Sequence, residues 1–128
     1  MTVTIEIGPG ELIDKITILE IKAAHIAPGA KLANVRTELG VLVAARDAGI
    51  ASSPALDALT AELRIINQTL WRIEDEIRDC ERATDFGDRF IALARAVYRT
   101  NDQRAAIKRR INDLLDAHII EEKSYAQY

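Results

Sequence analysis

The sequence predicts an all-α fold: a long antiparallel helical hairpin with two shorter N-terminal helices packed on it, plus a short N-terminal strand. Three observations predict it. Apolar residues recur at steps of three and four through most of the chain. The longest such run, Leu56 to Cys80, is an unbroken heptad seam, and only a few residues part it from the next helical pattern. With 128 residues, 48 % hydrophobic and 29 % charged, the chain has the bulk of one globular domain, residues 1–128, and not the composition of a disordered segment.

Residues 3–7 alternate, with Val3, Ile5 and Ile7 on one side and Thr4 and Glu6 on the other, the pattern of a short strand. A lone strand leaves its N–H and C=O groups unpaired. It is therefore expected to pair with the segment near Ile119–Tyr125, with the same strand of another copy, or with water. Gly8–Pro9–Gly10 ends it, and from Glu11 the period becomes helical through Leu12, Ile16, Leu19, Ala23 and Ile26. Ala27–Pro28–Gly29 breaks this helix. A second helix follows from about Ala30 to Ala48, with Leu32, Val35, Leu39 and Leu42 on its buried face. Gly40 weakens its middle and Gly49 stops it.

Ser53–Pro54 is a strong helix start: serine caps free N–H groups and proline suits the first turn. Leu56, Leu59, Leu63, Ile66, Leu70, Ile73, Ile77 and Cys80 then form the seam of a helix about 43 Å long. Thr84, Asp85 and Asp88 can cap a fourth helix, whose seam begins Phe86, Phe90, Leu93, Val97 and resumes Ile107, Ile111, Leu114, His118. The short break makes the two long helices antiparallel neighbours.

The fourth helix is interrupted where chemistry could reside. Between Val97 and Ile107 the seam falls on Thr100 or Asn101 and then on Arg104. A turn near residues 83–86 sets Asn67 near Asp102 and Gln68 near Asn101. Arg104, Asn101, Asp102, Asn67 and Gln68 thus form the candidate ligand-binding patch at mid-hairpin. A buried arginine must be satisfied. Asp102, Asn67, or a carboxylate of the first helix (Asp14 or Glu20) would fix the register. A small anionic metabolite such as a sugar nucleotide would make the patch a site, because guanidinium matches carboxylate and phosphate.

Charge is polarised along the hairpin. Arg89, Arg95, Arg99, Arg104, Lys108, Arg109 and Arg110 face only Asp102 in their own stretch, whereas residues 74–88 are strongly acidic. Antiparallel pairing sets Glu74 opposite Arg95, so ion pairing within the hairpin is the expected use. A net charge of −3 disfavours nucleic acid as partner. No apolar run spans a membrane and residues 1–15 lack a signal-peptide pattern. The one cysteine, Cys80, excludes an internal disulfide and reads as a small buried hydrophobe. A cytoplasmic location fits. His25 and His118 lack partners at metal-ligand spacing, Trp71 reads as core, and no phosphate loop or hydrolase motif occurs. No metal or cofactor is called for and catalytic residues are unknown. The expected function is that of a cytoplasmic interaction module acting through self-association or a protein partner.

Gly10–Lys22 (GELIDKITILEIK), Phe90–Asp102 (FIALARAVYRTND) and Glu121–Tyr125 (EEKSY) together resemble a family of small bacterial helical proteins of unknown function. The resemblance covers most of the chain and implies an all-helical domain found alone or near glycosyltransferase and surface-polysaccharide genes. It brings no catalytic residues. Leu12–Ile16 is also similar to the opening helix of AroQ-type chorismate mutases. That fold places its longest helix first and uses several inward cations, whereas here the long pair comes later and Arg104 is the one convincing inward cation.

Overall fold

Proline cannot donate a backbone hydrogen bond, and at the start of a helix it need not. Two of the four helices in the computed structural model, which describes residues 1–128, begin on one. They are α1 (Pro9–His25), α2 (Ala30–Gly49), α3 (Pro54–Arg82) and α4 (Asp88–Leu114). Ser53 caps α3 as its composition demands, accepting the Leu56 N–H at 3.1 Å.

The predicted hairpin is present: α3 and α4 pack along their length, and Arg110 reaches Glu62 across it at 3.3 Å. The central element is α1, which packs against each of the other three helices. Its sequence is apolar on several sides, so Leu12, Ile13, Ile16, Leu19 and Ile21 are all buried. Ile13 joins Leu56, Leu59, Leu63, Ile107 and Ile111 in the main core, with Leu63 and Ile111 fully enclosed. Each such side chain contributes about 1.5–3 kcal/mol by leaving water. In contrast, α2 touches α1 alone and buries only Leu32. Val35, Leu39 and Leu42 are half-buried, and α2 does not pack on the hairpin itself.

Two expectations are corrected. The structure has no strand. Residues 1–7 take part in no backbone–backbone hydrogen bond, and Val3 and Ile5 are 74 % and 72 % exposed. Alternation alone makes no strand when no edge is offered for pairing. The seam of α4 also ends at Leu114, short of His118. Asp116 has a positive φ of 51° and the chain leaves the helix there, so Leu114 and His118 are exposed.

Because α1 is shorter than α3, the hairpin projects past it. His25 near the end of α1 stacks on Trp71, ring centroids 5.0 Å apart. From there α3 continues to Arg82, roughly 15 Å further. Between Arg72 and Arg99 only Ile73 and Cys80 are buried.

Candidate functional site

The polar interruption of α4 is filled by α1. The seam position falls on Thr100, which is buried, and Arg104 one turn later enters the same face. Asp14 of α1, wholly buried, accepts Arg104 Nε at 2.9 Å on Oδ1 and Arg104 Nη2 on Oδ2, a fork on a carboxylate. Asn67 of α3 donates from Nδ2 to Asp14 Oδ1 at 2.9 Å and to Thr17 Oγ1 at 2.8 Å. Thr17 in turn donates to the Asp14 carbonyl. One carboxylate on α1 therefore gathers groups from both arms of the hairpin. Its hydrogen bonds to Arg104 hold that guanidinium's pKa above the ordinary arginine value, outweighing the effect of burial.

One turn further along α4, Lys108 is buried as well. Its ammonium lies 2.6 Å from Glu11 Oε2, 3.2 Å from Glu121 Oε1 and 3.9 Å from Asp14 Oδ2. Burial alone would lower its pKa, but the bonds to Glu11 and Glu121 and the Asp14 charge win, so it stands raised. Asn112, another turn on, accepts the Gly10 N–H at 2.8 Å. It thereby caps the first turn of α1, whose own N-cap Gly8 has no side chain to do so. This contact is why position 10 is glycine. A Cβ there would lie 2.5 Å from the Lys108 carbonyl oxygen and 2.8 Å from Asn112 Oδ1.

Of the predicted patch, the structure brings Arg104 and Asn67 together, through Asp14. It leaves Gln68 and Asp102 exposed and Asn101 half-buried. Asp102 accepts the Tyr128 hydroxyl, and Asn101 lines the cleft between α4 and the last residues of the chain. Glu20, the other carboxylate expected for Arg104, pairs instead with Arg64. Sequence reasoning missed Glu11, Thr17, Lys108, Asn112 and Glu121. The signal available was spacing: 104, 108 and 112 lie on one helical face, as do 10, 14 and 17.

The network is closed on itself. No buried side-chain nitrogen or oxygen lacks a hydrogen-bond partner. Arg104 and Lys108 stand among Glu11, Asp14 and Glu121, so the local charge does not invite a further anion. No group of three or more His, Cys, Asp or Glu side chains is arranged to hold a metal ion. It ties α1 to both arms of the hairpin, through Asp14 to Arg104 and Asn67 and through Glu11 to Lys108.

Outside the network the charges are less well matched. The expected Glu74–Arg95 pair does not form. Glu74 takes Arg78 on its own helix, since neighbours four residues apart meet without crossing the seam. Arg89, Arg95 and Arg99 on α4, and Asp75, Glu76 and Glu81 on α3, take part in no ion pair. Beside them Phe86 and Ile91 are 49 % and 52 % exposed.

No helix is long and apolar enough to cross a membrane. No curated protein and no solved structure matches the chain. A family model, described as a family of unknown function (DUF6165), matches residues 3–128. The chain, with its α1 locked into a helical hairpin, belongs to that family.

Proposed function

We propose that this protein is an interaction module that associates with a second copy of itself through the projecting part of the hairpin. One observation carries this reading. Past the end of α1, two helices stand without a third, with exposed apolar side chains and unpaired charges of opposite sign on the two arms. A two-fold axis across this region sets the cationic face of one α4, with Arg95 and Arg99, against the predominantly acidic projecting part of the other α3, with Asp75 and Glu76. It also covers Ile91 on both copies. Like charges are kept apart in that arrangement, which gives it direction as well as affinity.

Sedimentation equilibrium tests this. The wild type should dimerise with rising concentration. Arg95→Glu/Arg99→Glu and Asp75→Lys/Glu76→Lys should each be monomeric alone, because each sets like charges face to face, and should form a heterodimer when mixed. A chain that stays monomeric at every concentration, both as the wild type and with Tyr125 and Tyr128 changed to alanine, overturns the proposal.

A second reading, binding of a small anionic metabolite at mid-hairpin, is supported by the arginine at a seam position. The internal satisfaction of Arg104 by Asp14 favours the first reading over it. A thermal-shift screen with sugar nucleotides and other anionic metabolites should leave the melting temperature unmoved. Stabilisation that disappears in Arg104→Leu would restore the second reading.

A further inference from the structure

Beyond Ala117 the chain forms no backbone–backbone hydrogen bond, yet it does not wander. It passes Gly8, where a Cβ would lie 2.6 Å from the Ile119 carbonyl oxygen, and then runs back along α4. Side chains alone hold it there. Glu121 reaches Lys108 at 3.2 Å, Glu122 reaches Arg109 at 3.1 Å, and Tyr128 bonds Asp102 and sets its ring edge-on to Tyr98, centroids 5.2 Å apart. Between this tail and α4 an open cleft of about 930 Å³ remains, so the tail bridges the helix surface without packing into it. A segment fixed by exposed side-chain contacts, with its backbone in water, lifts at small cost.

What it covers is part of a second stripe on α4, apolar except for Asn101. Ile91, Ala94, Tyr98, Asn101 and Ala105 advance by three and four along one face. Tyr98, Asn101 and Ala105 lie under the tail, while Ile91 and Ala94 lie in the bare, projecting part. The stripe is continuous, so a partner seated on its bare part meets the tail at Tyr98.

We infer that the tail is a competitive strap. It occupies the part of the α4 stripe over which a second copy would otherwise extend, and full self-association requires it to lift from Tyr98. The inference rests on the proposed pairing of two copies through the projecting hairpin, and it adds that this pairing is restrained from within the chain. Glu121 stays on Lys108 throughout, so the strap opens from its far end.

The test compares the dimer dissociation constant of the wild-type chain, residues 1–128, with that of the same chain carrying Tyr125→Ala/Tyr128→Ala, a substitution outside the core and the buried network. The expected result is association tighter by about tenfold or more in the variant, and a synthetic peptide of residues 119–128 added to it should weaken association again. Dimerisation of equal strength in both proteins overturns the strap and leaves the hairpin interface standing. Monomers in both overturn the two together. Tighter association of the variant that Arg95→Glu/Arg99→Glu fails to abolish places the contact elsewhere and also overturns the strap. Far-ultraviolet circular dichroism of the variant, unchanged if the helices are intact, separates these outcomes from misfolding.

Discussion

Asp14 is a carboxylate with no access to water, and everything around it follows from that. Removing a charge from water costs several kcal/mol, so its two oxygens are met by Arg104 and Asn67, with Lys108 close behind. Arg104→Leu should destabilise the fold by about 3 kcal/mol, measured by urea denaturation. The loss falls at the low end for a broken buried pair because Lys108 still lies 3.9 Å from the same carboxylate. Asn101→Leu, half-buried and outside the network, should change stability by no more than about 0.5 kcal/mol. Lys108 gives a pH signature with a definite sign. Its folded pKa is raised, so its contribution is complete below the ordinary lysine value and is lost as pH climbs through the raised one. Between about pH 9 and pH 12 the wild type should therefore lose more of its melting temperature than Lys108→Met does. An equal loss in both proteins would show that Lys108 contributes no charged interaction to stability. The inward arginine was legible from the heptad count, and Asp14 was among its predicted partners. Lys108 was not legible, because position 108 lies off the hairpin seam and turns inward only where α1 covers that side. The same ignorance of where α1 lies put Asn101, Asp102 and Gln68 into the patch.

At the scale of the elements, burial and helix pattern part company in α2. Its stripe of Leu32, Val35, Leu39 and Leu42 was read correctly as facing inward, yet the helix it faces is α1, not the hairpin, and only Leu32 is fully enclosed. Gly40 adds flexibility at its centre, where a Cβ would meet nothing within 4 Å. The four helices should therefore differ in local stability. In native-state hydrogen exchange, the amides of α2 should open with markedly lower free energy than those of α1, which packs against all three other helices. Equal protection of the two would mean that α2 unfolds only with the whole molecule. The N-terminal segment teaches the converse lesson. Val3, Ile5 and Ile7 alternate as a strand should, but alternation reports only which side chains share a face. Whether a backbone partner exists is decided by the rest of the chain. Here the neighbouring tail, near Ile119, is itself held by side chains and offers no ladder.

On the scale of the whole molecule, length mismatch is the organising fact. Helix α1 is 17 residues and α3 is 29, so a three-helix core at one end becomes a two-helix projection at the other. The mismatch was already in the sequence, in the positions of Pro28–Gly29 and Ser53–Pro54. Its consequence depended on the direction in which α1 lies, from Asn112 at its start to Trp71 at its end. The charges of the projection then matter more than their number suggests. Arg78 and Arg82 are neutralised by neighbours on α3, which leaves Asp75, Glu76 and Glu81 unpaired there beside the single cation Arg72, and Arg89, Arg95 and Arg99 unpaired on α4 beside the single anion Asp88. Exposed ion pairs within one chain contribute little, whereas complementary patches brought together between copies speed encounter and set orientation. Self-association by this route should weaken as ionic strength rises, since the Debye length contracts from about 10 Å at 0.1 M to about 3 Å at 1 M. The measurement is the dimer dissociation constant across that range. An interface held only by Ile91, Phe86 and their apolar neighbours would hold or tighten in high salt. A steep loosening that vanishes when all four charges are neutralised in one chain, Arg95→Gln/Arg99→Gln/Asp75→Asn/Glu76→Gln, would assign the sensitivity to these four residues.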